Sequence, residues 1–285
     1  MANSNRKERR YLSSVIMISG DRNRFIQAVY DHYKKEGRHD LPWRVNTDPY
    51  YVLVSEIMLQ QTQVDRVVPK FNAFVTKYPS VHKLAQASIK DVLILWQGLG
   101  YNRRAKYLLE AAKTIQHDNN GMFINKKEYL LQLSGVGSYT AAAVRVFGFN
   151  IPDILIETNI RTVYISYFYK NKEQVSDRHL EYLLEHTLDM DNPREWYWAL
   201  MDYGSYIKKN QKNYSRQSSV YKKQPAFKGS NREIRGVIIK TLLSGKKTKA
   251  NLLSLPFSSK RILTVLRDLT KERLVHENKE VYYLP

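Results

Sequence analysis

Cysteine is absent from all 285 residues. Its absence excludes disulfides, thiolate zinc sites, cysteine nucleophiles and cysteine-ligated iron–sulfur clusters. Histidine is sparse at seven, and no two stand three or four apart, the spacing that lets one helix face share a metal. His32 and His39, and His179 and His186, are seven apart. Two helical turns rise about 10 Å, too far for one ion. No metal ligand set is expected. No apolar run approaches the roughly 18–20 residues of a membrane span, so no membrane partner is expected. Arg6, Lys7, Arg9 and Arg10 precede Ser13–Ser19, a stretch too short and polar for a signal peptide, and a cytoplasmic location follows. Acids are also short: 27 Asp and Glu stand against 46 Lys and Arg, a net charge of +19. That excess predicts attraction to polyanions, nucleic acid first and anionic membrane second.

The length allows one large or two to three small domains, and 43% hydrophobic residues fit a globular core. Residues 1–20 read as a loose basic arm. Residues 22–36 read as a helix with Phe25, Ile26, Val29, Tyr30 and Tyr33 on one face. Leu41-Pro-Trp-Arg44 to Asp48-Pro-Tyr50 is a loop between prolines. In it Trp43 and Arg44 are either packing with a solvated charge or part of a pocket.

The helix after Tyr50 carries an anomaly. Glu56 has Val52, Leu53, Leu59 and Gln60 three and four positions away, largely an apolar side. A carboxylate there suffers desolvation, and its pKa should rise towards the range where it can deliver a proton. The alternatives are a buried arginine partner or an exposed rotation of the helix. Gln60, Gln61, Thr62 and Gln63 follow as a neutral polar cluster, able to bond base edges or simply to end a helix in water. Residues 80–97 give an amphipathic helix pair. Trp96-Gln-Gly-Leu-Gly-Tyr101 then presents an aromatic ring, with Arg103, Arg104 and Lys106 behind it. Such a ring can wedge into a base stack.

Residues 127–164 organise the chain. Leu130, Leu131 and Leu133 close one helix; Gly135-Val136-Gly137 turns; Ser138 caps the next, with Thr140 to Ala143 as a small surface. Such a hairpin can aim free N–H groups at a phosphate, or be an ordinary helix–helix turn. Glu157 stands between apolar Ile154-Leu155-Ile156 and the caps Thr158 and Asn159. Residues 160–204 read as helical, ending at Asp202-Tyr203-Gly204. Residues 205–228 hold seven bases and no acid, a basic loop or linker. Lys208, Lys212 and Arg216 are its candidate backbone contacts. Residues 230–285 read as two helices, the second capped by Ser258, and a hairpin turning at Asn278-Lys279. Together they suggest a winged helix, with Lys260, Arg261 and Arg267 on its recognition helix.

The stretches LPWR at 41–44, DPY at 48–50, SEIMLQQTQV at 55–64, WQGLGY at 96–101, LSGVGSYTAAAV at 133–144, ETNIR at 157–161 and MDYG at 201–204 resemble the helix-hairpin-helix DNA glycosylase superfamily. Within it the resemblance is to the adenine glycosylases of the MutY family, over about residues 22–224. It implies an all-α, two-lobed helix-hairpin-helix fold, here followed by a small winged-helix-like α+β domain. By resemblance the terminal lobe comprises 21–48 and 161–224, with a cluster loop at 208–224. A six-helix barrel covers 49–160, its hairpin lies at 127–148, and the winged-helix-like domain covers 230–285.

The resemblance implies a monofunctional base-excision-repair glycosylase that flips out and hydrolyses a mispaired base, adenine opposite guanine or 8-oxoguanine. Glu56 stands where the family's glutamate protonates adenine and helps activate water. Glu157 stands where an aspartate stabilises the positive sugar. Gln61 and Tyr101 match wedging residues, with Gln60 and Thr62 beside them. Trp43, Arg44 and Asp202 match positions lining the base pocket. Gly135, Val136, Gly137 and Ser138 form the DNA-gripping hairpin, where a monovalent cation can also bind backbone. Tyr139 stands where lyases similar to endonuclease III carry a Schiff-base lysine. The implied partner is double-stranded DNA with a mispaired or damaged base, on the nucleoid; a monomer is expected, because such a lesion is isolated and the sequence carries no heptad seam. The chemistry agrees: base departure needs a proton donor and an ionised carboxylate with pKa values pushed apart, and the base must leave the stack.

Three features depart from the family. Glu157 replaces Asp. The four cluster cysteines correspond to Lys208, Ser215, Ser218 and Gln224, so spacing survives without ligands. The domain that reads 8-oxoguanine is replaced by some 55 residues. A thymine or uracil mismatch glycosylase, or a non-catalytic damage-binding protein, are the alternatives.

Overall fold

The computed structural model describes residues 19–285, so the expected basic arm lies, but for its last two residues, outside the described part. In chain order the helices are α1 (Ser19–Glu36), α2 (Pro42–Val45), α3 (Pro49–Leu59), α4 (Val64–Lys77), α5 (Val81–Ala85), α6 (Ile89–Trp96), α7 (Arg103–Asn119), α8 (Lys127–Leu130) and α9 (Ser138–Ala143). A π-helical turn, Val144–Gly148, prolongs α9. Then come α10 (Thr158–Phe168), α11 (Asp177–Thr187), α12 (Pro193–Asn210), a 3₁₀ turn at Tyr214–Gln217, α13 (Asn231–Leu243), β1 (Lys247–Thr248), α14 (Lys249–Leu253), α15 (Ser259–Lys271), β2 (His276–Asn278) and β3 (Val281–Tyr283). The expected continuous helicity of 160–204 is thus three helices, and α12 runs through Gly204 to Asn210. Two compact units result: the chain up to Pro49 with Ser138–Lys223, and Tyr50–Gly137 with Gln224–Pro285.

The first unit is built on α1, α10, α11 and α12. Phe25, Val29 and Tyr33 recur every four residues on α1 and are all buried. Phe25 meets Tyr164, Phe168 and Trp196 at ring separations of 5.1, 5.0 and 6.0 Å. Such tilted aromatic packing adds about 0.5–1.5 kcal/mol per pair beyond buried area.

In the second unit, α3 is apolar on every side and is buried from Val52 to Met58. A helix with no polar face can only be a core element. Glu56 is therefore enclosed in the stretch of helix buried on every side; the expected single apolar side understates its enclosure. Tyr51 of α3 lies 5.9 Å from Phe71 of α4, and Phe74 of α4 meets Trp96 of α6 at 6.2 Å.

The same unit ends in a helix, strand, helix, helix, strand, strand order with sheet order β1-β3-β2, all antiparallel. That is a winged helix. Ile234, Ile238 and Leu242 on α13 and Ile262, Val265, Leu266 and Leu269 on α15 form its core. Its hairpin turns at Lys279 and Glu280, with φ of 48° and 60°, one residue later than expected. Two successive left-handed residues make the type I′ turn that suits strand twist.

Candidate active-site residues and their supports

On the second unit, Glu56 is 8% exposed, near the C-terminal end of α3. The chain leaves that helix through Gln60 and Gln61, and Gln61 takes φ 57°. Tyr101, at the tip of the Trp96–Tyr101 loop, takes φ 48°, after Gly98 at 90° and Gly100 at 70°. Glutamine and tyrosine in the left-handed region cost roughly 1–2 kcal/mol each. Both candidate wedging residues are thus held in conformations a free chain would leave.

Arg104 is what holds them. The sequence only groups it with Arg103 and Lys106 in a basic cluster behind the Tyr101 ring; the structure buries it to 7% exposure. Its Nη1 donates to the carbonyls of Ile57, Met58 and Gln60 at 2.8, 2.9 and 2.6 Å. Its Nη2 donates to Thr62 Oγ1 at 3.1 Å and to the carbonyls of Leu99 and Gly100 at 3.1 and 3.2 Å. One planar fork therefore ends the Glu56 helix and pins both wedge loops. Its guanidinium lies 5.6 Å from the Trp96 ring centre and 5.4 Å from that of Tyr101. Burial pushes its pKa down to about 10, so it stays charged at neutral pH. No sequence signal marks this arginine apart from its neighbours.

The hairpin spans both units. Gly135 takes φ 77°, and an added Cβ would lie 2.8 Å from Tyr107 Cβ. Val136 is buried, while Gly135, Gly137 and Ser138 are exposed at the tip. Gly137 has no positive φ and nothing near an added Cβ, so only one of the two glycines is demanded by the turn itself. Leu131, read with Leu130 and Leu133 as closing the first helix, is its C-cap and is exposed, while the other two are buried.

On the first unit, Glu157 is the N-cap of α10, a place expected for Thr158 or Asn159. Its carboxylate accepts from the N–H groups of Asn159 and Ile160 at 2.7 and 2.9 Å. Burial pushes the carboxyl above its ordinary value; those two N–H groups, then Lys208 and Arg161, oppose the shift. The segment leading to it is fastened from α12: Tyr197 Oη donates to the Asp153 carbonyl at 2.9 Å and accepts from Leu155 N–H at 3.1 Å. Arg145 in the π turn pairs with the Asp153 carboxylate. Gly204 does not end a helix. A Cβ there would meet the Asn159 carbonyl oxygen at 2.2 Å, so glycine lets α12 touch the first turn of α10. Lys208, one turn on, donates to Asn159 Oδ1 at 3.2 Å.

Asp202 is 4% exposed and Arg44 8%. Arg44 donates to both Asp202 oxygens at 2.7 and 3.0 Å, and Arg38 adds its backbone N–H and side chain. Burial alone would raise Asp202; Arg44 and Arg38 outweigh it and hold the carboxyl below the usual range. Arg44 also lies 5.4 Å from the Trp198 ring centre. Trp43 beside it is buried, and Tyr139 on α9 is half-buried.

The loop at the cluster positions is folded by its own contacts. Ser215 and Ser218 are buried, Ser215 Oγ donates to Asn213 Oδ1 at 2.6 Å, and a parallel bridge joins Ser218 to Val175. Lys208, Lys209, Lys212 and Arg216 stay exposed on it, so a 3₁₀ turn and a helix end carry bases that a linker reading leaves unstructured. These positions offer no thiolate, and the residues do not fit an iron–sulfur cluster. Among the described residues no group of three or more histidines and carboxylates could hold a metal.

Residues 54–189 match the family model of the HhH-GPD superfamily base excision DNA repair protein. An adenine DNA glycosylase of Buchnera aphidicola subsp. Baizongia pistaciae (strain Bp) is 36% identical over 187 residues, 64% of this chain and 52% of that protein. One of Mycobacterium tuberculosis (strain ATCC 25618 / H37Rv) is 41% identical over 147 residues, 51% of this chain and 48% of that one. This chain thus spans about half the length of the curated relatives it matches. Among solved structures, a thermostable thymine-DNA glycosylase aligns with TM-score 0.59 and 26% identity, over 68% of this chain and 90% of its own. A trapped endonuclease III–DNA covalent intermediate shares the fold at TM-score 0.56 and 18% identity, over 66% and 87%. The motifs and the helical fold agree with these likenesses: the chain is similar, over residues 54–189, to the HhH-GPD superfamily of base excision DNA repair proteins.

Proposed function

We propose that this protein is a monofunctional DNA N-glycosylase that flips a mispaired base out of duplex DNA and hydrolyses its glycosidic bond, the base being adenine opposite guanine or 8-oxoguanine. The observation that carries the reading is Glu56. It is a carboxyl group enclosed on an apolar helix whose end runs straight into the Gln61 loop. A protein that only binds DNA gains nothing from burying an acid there, because burial of a charge costs stability.

In this chemistry Glu56 donates its proton to the departing base and helps activate water. Glu157 in ionised form stabilises the sugar as it becomes cationic. Gln61 and Tyr101 fill the space the base leaves. Tyr139 cannot form a Schiff base as a lysine would, so strand scission by this protein is not part of the reading. The exposed Lys208, Lys212 and Arg216 hold backbone phosphates, as the +19 charge favours. The exposed Gly135, Gly137 and Ser138 tip offers backbone N–H groups to a phosphate, and a monovalent cation belongs to the same site. The Arg44–Asp202 pair with Trp43 borders the base pocket. The protein acts as a monomer on nucleoid DNA.

A second reading has its own support. The thermostable thymine-DNA glycosylase aligns over 90% of its length, whereas the curated adenine relatives are matched over about half of theirs. Thymine or uracil opposite guanine is therefore the rival substrate. Single-turnover base release tests both. Duplexes would carry A opposite G, 8-oxoguanine or C, and T or U opposite G, with and without alkali. Alkali-dependent breaks at adenine establish the proposal. Breaks only at T or U keep the mechanism and change the substrate. Tight binding with no release anywhere leaves a damage-binding protein.

A further inference from the structure

The winged helix reaches the wedge loop through the segment that connects it. Gln224 Nε2 donates to the Tyr101 hydroxyl and, at 2.7 Å, to Gln61 Oε1. Arg232, in the first turn of α13, donates from Nη1 to the same hydroxyl at 2.7 Å. Its guanidinium carbon lies 5.6 Å from the Tyr101 ring centre, so Tyr101 has Arg104 and Arg232 both over its ring. Arg232 is itself fixed, because Nη2 donates to the carbonyls of Pro225 and Ala226 at 2.5 and 3.3 Å. Behind the loop, Glu272 at the end of α15 pairs with Arg103 and Arg235, and Lys106 Nζ donates to its carbonyl at 2.6 Å.

We propose that the winged helix is a positioning element for base extrusion, in which Arg232 and Gln224 hold the Tyr101 ring presented at the tip of its loop. The inference rests on the wedging role given to Tyr101 under the proposed function. A ring in a left-handed backbone conformation relaxes unless its far end is tethered. The hydroxyl tether, closed by a planar arginine fork, removes that freedom before DNA arrives, so less ordering is left to do when the base opens. Gln224 links the tyrosine to Gln61, so the two wedging residues are set by one amide. The domain thus acts on the opening step through Tyr101 and is more than an added source of affinity.

The experiment uses the full chain and a duplex with 2-aminopurine beside the mispair. It reads the fluorescence rise on base opening, base release at saturating protein, and duplex affinity by anisotropy. Arg232→Ala should slow opening and release about tenfold, the size of one lost hydrogen bond to a charged group, with affinity unchanged within about twofold. Arg232→Lys, which keeps charge without the fork, should fall between. Tyr101→Phe removes the hydroxyl, and adding Arg232→Ala to it should cost clearly less than Arg232→Ala alone, the mark of direct coupling. If Arg232→Ala disturbs folding, Gln224→Ala removes the second tether from the exposed connecting segment. Wild-type opening in both Arg232→Ala and Gln224→Ala overturns the inference. A loss confined to affinity, or strictly additive with Tyr101→Phe, does so too. If Tyr101→Ala fails to open the base while those variants succeed, only the inference falls. If the wild type opens no mispair, the proposed function falls with it.

Discussion

Glu56 sits within a helix of apolar residues whose last carbonyls are taken by a buried arginine, whereas Glu157 sits one residue before a helix and accepts from two of its N–H groups. Both carboxyls are withdrawn from water, and at Glu157 two N–H donors oppose the rise that burial causes without overcoming it. Enclosure disfavours a charge, and donors favour it. In the proposed reaction Glu56 gives a proton, and the two N–H groups, Lys208 and Arg161 are what favour the ionised form of Glu157 against burial. The supports differ in kind as well. The two terminal nitrogens of Arg104 are taken by carbonyl and hydroxyl oxygens and so fix loop shape. Arg44 is satisfied by a carboxylate and so fixes charge.

The largest expected effect is at Glu56. Glu56→Gln should lower single-turnover base release by about 10²–10⁴-fold, the range for a lost proton donor, with duplex affinity unchanged. Unchanged release would remove Glu56 from the reaction. Arg44→Met leaves Arg38 as the only cation on the buried Asp202 carboxylate, and should cost about 1.5–3 kcal/mol in denaturant unfolding, the range for lost hydrogen bonds to a charged group. The Asp202 contribution is present above the unfolded carboxylate pKa of about 3.9 and is lost as pH falls through its lower folded value. Acid unfolding of the wild type should therefore steepen there, and the variant, keeping only Arg38, should show a smaller step. An identical acid profile in both would mean the pair is not what holds the unit.

Gly204→Ala should cost about 1–3 kcal/mol, because its Cβ meets backbone at 2.2 Å and α12 must shift from α10. Release should fall with stability, since the Glu157 cap moves; full activity in a folded variant would separate the cap from the chemistry. Glu157 itself is smaller in stability and opposite in sign to Asp202. Its folded pKa is raised, so its contribution is present below about pH 4 and lost as pH rises through the folded value. Glu157→Gln should gain stability relative to wild type on going from about pH 4 to about pH 7, while losing base release. A relative loss over that interval would show that the two N–H donors outweigh burial. The smallest effect is at the basic loop. Lys212→Ala should weaken binding to all duplexes alike and reduce the salt slope by about one. An unchanged slope would leave that lysine merely solvated.

Much of this was readable in residue order. The apolar setting of Glu56, the glycine hairpin before Ser138, the acid before α10 and the helix–hairpin order of the last 55 residues are local patterns, carried by spacing and turn chemistry. The misreadings have a common cause. Arg104 looked like its exposed neighbours because charge clusters carry no record of which member turns inward. Gly204 looked like a helix stop because the backbone it touches, at Asn159, lies 45 positions earlier.

Composition ruled out thiolate chemistry, and local period set most helices, because those depend on residue identity and near neighbours. Folding alone decided that Arg44 meets Asp202, that Arg104 closes both wedge loops, and that Gln224 and Arg232 reach Tyr101. Each of those contacts joins groups brought together by packing. Once water is excluded, a buried guanidinium must take whichever oxygens the fold puts beside it, and no rule of spacing names them in advance.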